Sequence, residues 1–146
     1  MRRAENISIE TLRGRFAEAG LRFTRQREAV WNLFARSRRG FSVAEAARAL
    51  GKKRIGPATV YRTVALLEEM GLLGRIHDER HEHRFVACTP GHVHHLVCTN
   101  CGRVVEFEAC GIPRLERLLA AETGFSVEGH HLEIYGICSK CREAAK

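Results

Sequence analysis

Hydrophobic residues recur at helical spacing through the first seventy positions of the chain. Apolar side chains three and four residues apart predict four amphipathic helices, each starting at a capping residue or proline and ending near a glycine. The predicted starts are Ser8, Thr24, Ser42 and Pro57, and the predicted ends are Gly20, Gly40, Gly51 and Gly71. Ser42 and Glu45 also have the spacing of a capping box.

The third and fourth predicted helices are joined by a short basic loop, K-K-R-I-G. This layout is typical of a helix-turn-helix. A β-hairpin is predicted directly after the fourth helix, with strands at 72–76 and 83–86 and a turn at Asp78-Glu79. Four helices followed by a hairpin predict a winged helix-turn-helix domain over residues 1–87.

The hydrophobic pattern changes in the second part of the chain, which we assign to a domain at 88–146. Short apolar runs predict strands at 96–97, 104–107 and 130–137, with one amphipathic helix between the second and third strands. The fold class is therefore α+β, with a small α/β domain at the C-terminal end. This domain alone would bury little surface, so its sheet edge and leucine-bearing helix predict a homodimer.

Charge is distributed unevenly between the two predicted domains. Residues 1–87 contain 18 Lys and Arg against 10 Asp and Glu, whereas residues 88–146 contain 6 against 7. A basic first domain is typical of nucleic-acid binding, although excess arginine is also common on ordinary surfaces. The sequence has neither a signal-like apolar segment nor an apolar run of membrane-spanning length, so we expect a cytoplasmic protein without a membrane partner.

The outer face of the fourth helix is the candidate DNA-reading surface. Its first turns point Thr59, Tyr61 and Arg62 away from the apolar face, where they could contact bases or phosphates of double-stranded DNA. The alternative interpretation is an ordinary amphipathic helix with a polar outer face. The predicted hairpin wing and the basic charge favour DNA binding.

Four cysteines form two C-x-x-C pairs separated by 36 residues. They are Cys98, Cys101, Cys138 and Cys141. Four thiolates are the number that a closed tetrahedral Zn²⁺ site requires, so the spacing predicts a structural zinc. Two disulfides or two unconnected thiol pairs are the alternatives. Disulfides between cysteines this close in sequence are strained, and the expected compartment is reducing.

Further metal-ligand types crowd around the boundary between the predicted domains. They are His77, His81, His83, Cys88, His92, His94, His95, Glu106, Cys110, His130 and His131. A metal site that drew ligands from both domains would fix the angle between them, which would let a metal control DNA binding. No nucleophile, base and orienting group stand out, and zinc-enzyme motifs such as H-E-x-x-H are absent, so we expect no enzyme activity.

Several segments together resemble the ferric uptake regulator family of metal-dependent repressors. They are G-L-R-F-T-R-Q-R, P-A-T-V-Y-R-T-V-A-L-L, H-H-L-V-C-T-N-C-G-R-V-V-E-F and H-L-E-I-Y-G-I-C-S-K-C. The resemblance implies a dimeric winged-helix repressor in which metal binding aligns two DNA-binding domains with a palindromic operator. It also implies that the four paired cysteines hold the family's structural zinc.

The resemblance further implies which metal is sensed. Iron and peroxide sensors of the family usually have a histidine where Phe41 stands, and peroxide sensors need a carboxylate where Ala87 stands. Cys88 instead matches a ligand cysteine of the zinc-uptake branch. The implied sensory ligands are His77, Cys88, His95 and Glu106. A thiolate with imidazoles suits Zn²⁺, so we expect a zinc-dependent repressor of zinc uptake genes, with iron or manganese as the alternative.

A third metal site is also common in the family, and His92, His94 and His130 match three of its ligands. Its usual acidic fourth ligand is replaced by Pro113. Cys110 could substitute, with Glu116 as the fallback. Two rival functions remain open from the sequence: a metal storage or delivery protein, and a zinc hydrolase with an open water-bearing site.

Overall fold

The computed structural model describes residues 7–78 and 82–145 of the chain and contains six helices and five strands in that part. The elements are α1 (Ile9–Glu18), α2 (Arg25–Ala35), α3 (Val43–Gly51), α4 (Pro57–Glu69), β1 (Leu73–His77), β2 (His83–Ala87), β3 (His94–Cys98), β4 (Val104–Phe107), α5 (Ile112–Thr123), β5 (Glu133–Gly136) and α6 (Ser139–Glu143).

Local chemistry sets the starts of the first four helices, as predicted. Ser8, Thr24 and Ser42 each accept a hydrogen bond from the backbone N–H three residues on, which satisfies a donor that the helix itself leaves unpaired. The capping box of α3 is confirmed, because the Glu45 carboxylate also accepts the Ser42 N–H. Pro57 occupies the first turn of α4, where its missing N–H costs nothing.

The main apolar core lies among the four helices and the β1–β2 hairpin. Trp31 and Phe34 of α2 and Leu67 of α4 are almost fully buried there. Strands β1 and β2 pair antiparallel, from Leu73 opposite Ala87 to His77 opposite His83. This arrangement of helices and hairpin is the predicted winged helix-turn-helix.

The second sheet has the strand order β4-β3-β5. Strand β3 runs antiparallel to β4 and parallel to β5, with His95 opposite Glu106 on one side and Glu133 on the other. The α+β fold class is confirmed. The position of the domain boundary at residue 87 stays a prediction.

Three details of the sequence prediction were wrong. The second helix ends at Ala35, well before the predicted end at Gly40. The strand predicted over 130–137 is shorter, Glu133–Gly136, because the preceding residues form a loop that carries His130 into a cluster of metal-ligand types. Helix α6 was not predicted, because its five residues, which include Cys141 of the second cysteine pair, have no apolar periodicity. In the predicted hairpin turn, Glu79 lies outside the described residues.

The two sheets and their helices contact each other directly. The Val104 N–H of β4 donates to the Arg38 carbonyl at 2.8 Å, and Arg39 forms an isolated β-bridge with Arg103. Ile76 and Val97 belong to a small buried cluster shared by the hairpin and the second sheet. The loop before α3 is thus attached to the strand that leaves the first cysteine pair. No helix within the described part of the chain is long and apolar enough to cross a membrane.

Candidate metal centres and nucleic-acid interface

The four paired cysteines converge on one point. Their sulfurs lie within 4.8 Å of one another, with Cys98 Sγ 4.0 Å from Cys141 Sγ and Cys101 Sγ 3.8 Å from Cys138 Sγ. Four sulfurs about 2.3 Å from a tetrahedral Zn²⁺ would stand about 3.8 Å apart. All six cysteines are free thiols. The donor set and its spacing therefore fit a closed zinc site.

Electrostatics in this cysteine cluster also favour a cation. The Cys138 N–H donates to Cys98 Sγ at 3.3 Å, and this and other backbone donors lower the pKa of Cys98 to about 6. Cys141 is instead surrounded by thiols, beginning with Cys138, which raise its pKa to about 12. A bound cation would allow all four thiols to ionise together.

A second cluster gathers the residues that the resemblance implied for a third site. The ligand atoms of His92, His94, Cys110 and His130 all lie within 4.8 Å of one another. Burial is the main cause that lowers the pKa of His94, and the neighbouring His92 and His130 lower it further. A neutral imidazole is the form that binds a metal ion. The cluster therefore has three imidazoles and one thiol with the composition of a Zn²⁺ site.

Glu116, the fallback ligand, lies behind this cluster. Its Oε1 is 2.7 Å from His130 Nδ1, while His130 Nε2 is 3.3 Å from Cys110 Sγ and 3.4 Å from His94 Nε2. His130 thus directs one ring nitrogen to the cluster and the other to a carboxylate. This is the usual arrangement by which a carboxylate orients a metal-binding histidine.

The four implied sensory residues surround the junction of the two sheets but are not gathered as closely. They are absent from the groups of described residues whose ligand atoms approach within 4.8 Å. His77 Nδ1 lies 3.1 Å from Glu133 Oε1. Glu106 accepts the Thr89 N–H at 2.8 Å and the Thr89 hydroxyl at 3.1 Å. The Cys88 thiol donates to the Gly71 carbonyl at 3.4 Å. Three of the four candidate ligands therefore have other partners in this structure.

Cys88 and His95 line one cavity of about 390 Å³ together with His131 and Glu133. Among the described residues, the buried Nε2 of His95 has no hydrogen-bond partner. Burial lowers the pKa of His95 and raises the pKa of Cys88 to about 12, the latter with help from Glu106. A buried polar nitrogen without a partner is costly, so this atom calls for one.

Gly74 keeps the space beside these two side chains open. A Cβ on Gly74 would lie 2.8 Å from His95 Cε1, 3.4 Å from His95 Nε2 and 3.6 Å from Cys88 Sγ. Both candidate ligand atoms therefore border a space that a side chain on β1 would fill. An unpartnered imidazole nitrogen and a thiol beside such a space fit a metal ion.

The predicted DNA-reading residues lie on α4 as expected from its apolar face. Tyr61 is 53 % exposed, and Arg62 is exposed with its Nε donating to the Ala58 carbonyl at 3.2 Å. Thr59 is half-buried. The loop before this helix exposes Lys52 and Lys53. The exposed start of α4 is therefore polar and basic.

Three further histidines were left open by the sequence. The His83 ring packs against the His77 ring at a centroid distance of 4.9 Å. His131 borders the cavity beside Cys88, and His81 lies outside the described residues. Glu133 was not predicted as a site residue. Strand alternation places it with His131 and Tyr135, but no sequence signal pairs it with His77, 56 residues away.

Comparisons with known proteins agree with this fold. The family model "Ferric uptake regulator family" matches residues 18–135. The chain is 33% identical over 145 residues to the ferric uptake regulation protein of Campylobacter jejuni, covering 94% of this chain and 92% of that one. It is 35% identical over 136 residues to the peroxide operon regulator of Bacillus subtilis, covering 92% of this chain and 90% of that one. A zinc uptake regulator solved with zinc and DNA superposes with a TM-score of 0.78 at 26% identity, over 99% of both chains.

A winged helix joined to a sheet that carries cysteine and histidine clusters defines a metal-responsive DNA-binding protein. The chain belongs to the ferric uptake regulator family. It is therefore a metal-responsive transcriptional regulator and not an enzyme.

Proposed function

We propose that this protein is a zinc-dependent repressor that binds a palindromic operator and controls zinc uptake genes. The observation that carries the proposal is the pair of buried groups beside Gly74. Cys88 provides a thiol and His95 an unpartnered Nε2 at the same space, and thiolate with imidazole is a donor set that suits Zn²⁺. The structural similarity to a zinc uptake regulator solved with zinc and DNA supports the same reading.

The proposed sensory ligands are His77, Cys88, His95 and Glu106. His77 ends the first wing strand, Cys88 follows the second, and His95 and Glu106 face each other across β3 and β4. Bound Zn²⁺ would supply a positive centre that four such donors share. Glu106 would exchange its present partner, Thr89, for this role, while His77 would bind through the ring nitrogen that does not face Glu133. Because His77 belongs to the wing, joining it to the second sheet would fix the orientation of the DNA-binding helices.

The mechanism is a population shift between domain orientations. Ligands from both sheets come together in only one orientation, so the metal-bound protein favours it. A coupling free energy of about 1–3 kcal/mol gives about 5- to 150-fold tighter operator binding.

Phe41 supports zinc over iron or peroxide sensing. It packs edge-to-face on Phe34 at 5.8 Å and pairs its backbone with Phe85, so no ligand is offered there.

The protein would act as a homodimer. Helix α5, strand β5 and their flanking segments expose large apolar side chains, including Phe125 at 75 % and Ile137 at 57 %. Strand β5 is at an edge of its sheet. Exposed apolar residues beside an unpaired edge suit a two-fold interface with a second copy, and a palindromic operator matches that symmetry.

The test of this proposal is the Cys88→Ala variant. We expect it to remain dimeric with its four-cysteine zinc but to lose zinc-dependent operator binding, measured on a palindromic duplex selected from random DNA by the zinc-loaded protein. Cys110→Ala removes a thiol from the other cluster, whose ligands all lie on one domain, and should retain zinc dependence. Full zinc dependence in Cys88→Ala would refute the sensory-site assignment.

A further inference from the structure

Glu133 makes a contact that joins the second sheet to the wing. Its Oε2 accepts the His77 backbone N–H at 3.1 Å, and its Oε1 lies 3.1 Å from His77 Nδ1. The Glu133 side chain is only 12 % exposed. One carboxylate on β5 thus binds both the main chain and the ring of the last residue of β1.

Tyr135, two residues further along β5, completes this contact. Its hydroxyl donates to the Glu133 carboxylate and also approaches the His77 carbonyl at 3.5 Å. The His77 backbone N–H and the Tyr135 hydroxyl both donate to Oε2 of this carboxylate. Glu133 is therefore an acceptor shared by the wing and by its own strand.

The Glu133 carboxylate determines which nitrogen of His77 carries the proton. A carboxylate can only accept, so Nδ1 must be the N–H donor in this pair. In the neutral ring the lone pair is then on Nε2, the nitrogen that remains available to a metal ion. Glu133 also borders the cavity of Cys88 and His95 and lies opposite His95 in the strand register.

We propose that Glu133 is the positioning residue of the sensory site, holding His77 by Nδ1 so that Nε2 is presented to the metal, with Tyr135 as its support. This inference rests on the proposed function. It differs from a role as ligand, because the carboxylate stays bound to the histidine ring and acts through it.

The second histidine cluster of the same chain contains the same device. Glu116 holds His130 by Nδ1 at 2.7 Å, and His130 Nε2 faces Cys110 and His94. Partners of this kind set the tautomer and ring orientation of a metal-binding histidine. The difference at His77 is that the carboxylate and the histidine belong to different sheets. Glu133 therefore couples ring orientation to the angle between the wing and the second sheet.

The test is a double-mutant cycle in the full-length protein with its four-cysteine zinc in place. Zn²⁺ affinity is measured by chelator competition for the binding event that Cys88→Ala removes. Glu133→Ala should weaken it by about 10- to 100-fold, the usual effect of losing such a partner. Glu133→Gln should weaken it less, since its amide oxygen can still accept from Nδ1. In a His77→Ala background, neither change should have a further effect.

Glu128→Ala, an exposed carboxylate before β5, is the matched control and should leave the affinity unchanged. An equal loss from Glu133→Ala with and without His77 would overturn the positioning role, because Glu133 would then act independently of His77. Unchanged affinity in Glu133→Ala would also overturn it, while leaving the proposed function intact. If Cys88→Ala removes no zinc-binding event from the wild-type protein, both the positioning role and the proposed function are overturned. That comparison needs no Glu133 variant, so the two failures can be distinguished.

Discussion

Single atoms decide whether the cavity beside Cys88 can accept a metal ion. The space next to His95 Nε2 exists because position 74 has no side chain, and the thiol and the imidazole border it from two sides. Protein interiors are packed closely enough that one added methyl group is felt. The proposed metal site therefore depends on the missing side chain of Gly74 as much as on its ligands.

Gly74→Ala should impair the sensory site without touching a ligand. The new Cβ would meet His95 Cε1 at 2.8 Å, so the ring must move, and overpacking of this kind costs about 1–3 kcal/mol. At about 1.4 kcal/mol per factor of ten, Zn²⁺ binding should weaken by about 5- to 150-fold in a chelator competition. The four-cysteine zinc should remain.

Gly14→Ala is the matched control for this change. A Cβ at Gly14, on an exposed part of α1, would meet no atom within 4 Å. Its helix should gain up to about 1 kcal/mol of stability, with zinc binding unaltered. Unweakened zinc binding in Gly74→Ala would place the metal elsewhere.

Some site residues follow from the sequence and others do not. Paired spacing alone identifies Cys98 and its three partners as one metal site, and the structure gathers them. The contact between His77 and Glu133 has no such signal, because it depends on how two distant strands meet in space. For the same reason, the sequence could not indicate that Glu106 would be bound to Thr89.

Charged side chains join one element to another in the DNA-binding half. Glu45 caps α3, and its Oε2 accepts a hydrogen bond from Arg84 Nη2 of β2 at 2.6 Å. The Nε of Arg84 also donates to the Gly40 carbonyl at 3.1 Å. Burial alone would raise the pKa of Glu45, but hydrogen bonds from Ser42 and Arg84 outweigh it and lower the pKa from 4.5. The helix-turn-helix and the wing are thus tied by one carboxylate.

Glu45→Gln should destabilise the protein in a pH-dependent way. The amide can still cap α3, but the ion pair with Arg84 is lost, which costs about 1 kcal/mol at pH 7 for a partly exposed pair. A lowered folded-state pKa stabilises above pH 4.5, and that stabilisation disappears as the pH falls through the folded value.

Urea unfolding of variant and parent at several pH values checks this prediction. Their free energies of unfolding should converge below pH 4.5. Glu18→Gln, an exposed change on α1, should show little difference at any pH. A difference between Glu45→Gln and the parent that stays constant with pH would contradict the ion-pair explanation.

Arg62→Ala tests α4 as the element that reads DNA. Loss of an arginine contact to a base or phosphate costs about 1–3 kcal/mol, so operator affinity should fall by about 5- to 150-fold. The amount of zinc bound per chain should not change, because Arg62 is not a ligand in any of the candidate metal sites. Arg114→Ala removes the same charge from α5 and is the control; equal effects from both variants would argue against a recognition role for α4.

The elements themselves were mostly predictable, and their failures have local causes. Caps and apolar spacing identify α1 to α4, because each helix buries one face in a common core. Strand β5 was predicted too long because Leu132 lies two residues before Ile134 and so continues the alternation of the strand. Residues 130–132 instead form a loop that carries His130 to the cluster with His92. Helix α6 begins directly after Cys138 and contains Cys141, and its five residues show no apolar periodicity from which a helix could be predicted.

At the scale of the whole molecule, the metal clusters and the DNA-binding helices are mechanically connected. The strand leaving the first cysteine pair binds the loop before α3 through Val104 and Arg38, and the second sheet binds the wing through Glu133 and His77. A metal that draws on ligands from the wing and the sheet would act on these contacts together. We propose that zinc selects the domain orientation that fits an operator.

The most direct test is operator affinity measured against buffered free Zn²⁺, with Fe²⁺ and Mn²⁺ in parallel and bound metal counted per chain. We expect Zn²⁺, and neither of the other two metals, to tighten operator binding by about 5- to 150-fold. This tightening should be reached when more than one Zn²⁺ is bound per chain. Tightening by Fe²⁺ or Mn²⁺ at lower free concentration, or operator binding that is indifferent to all three metals, would contradict it.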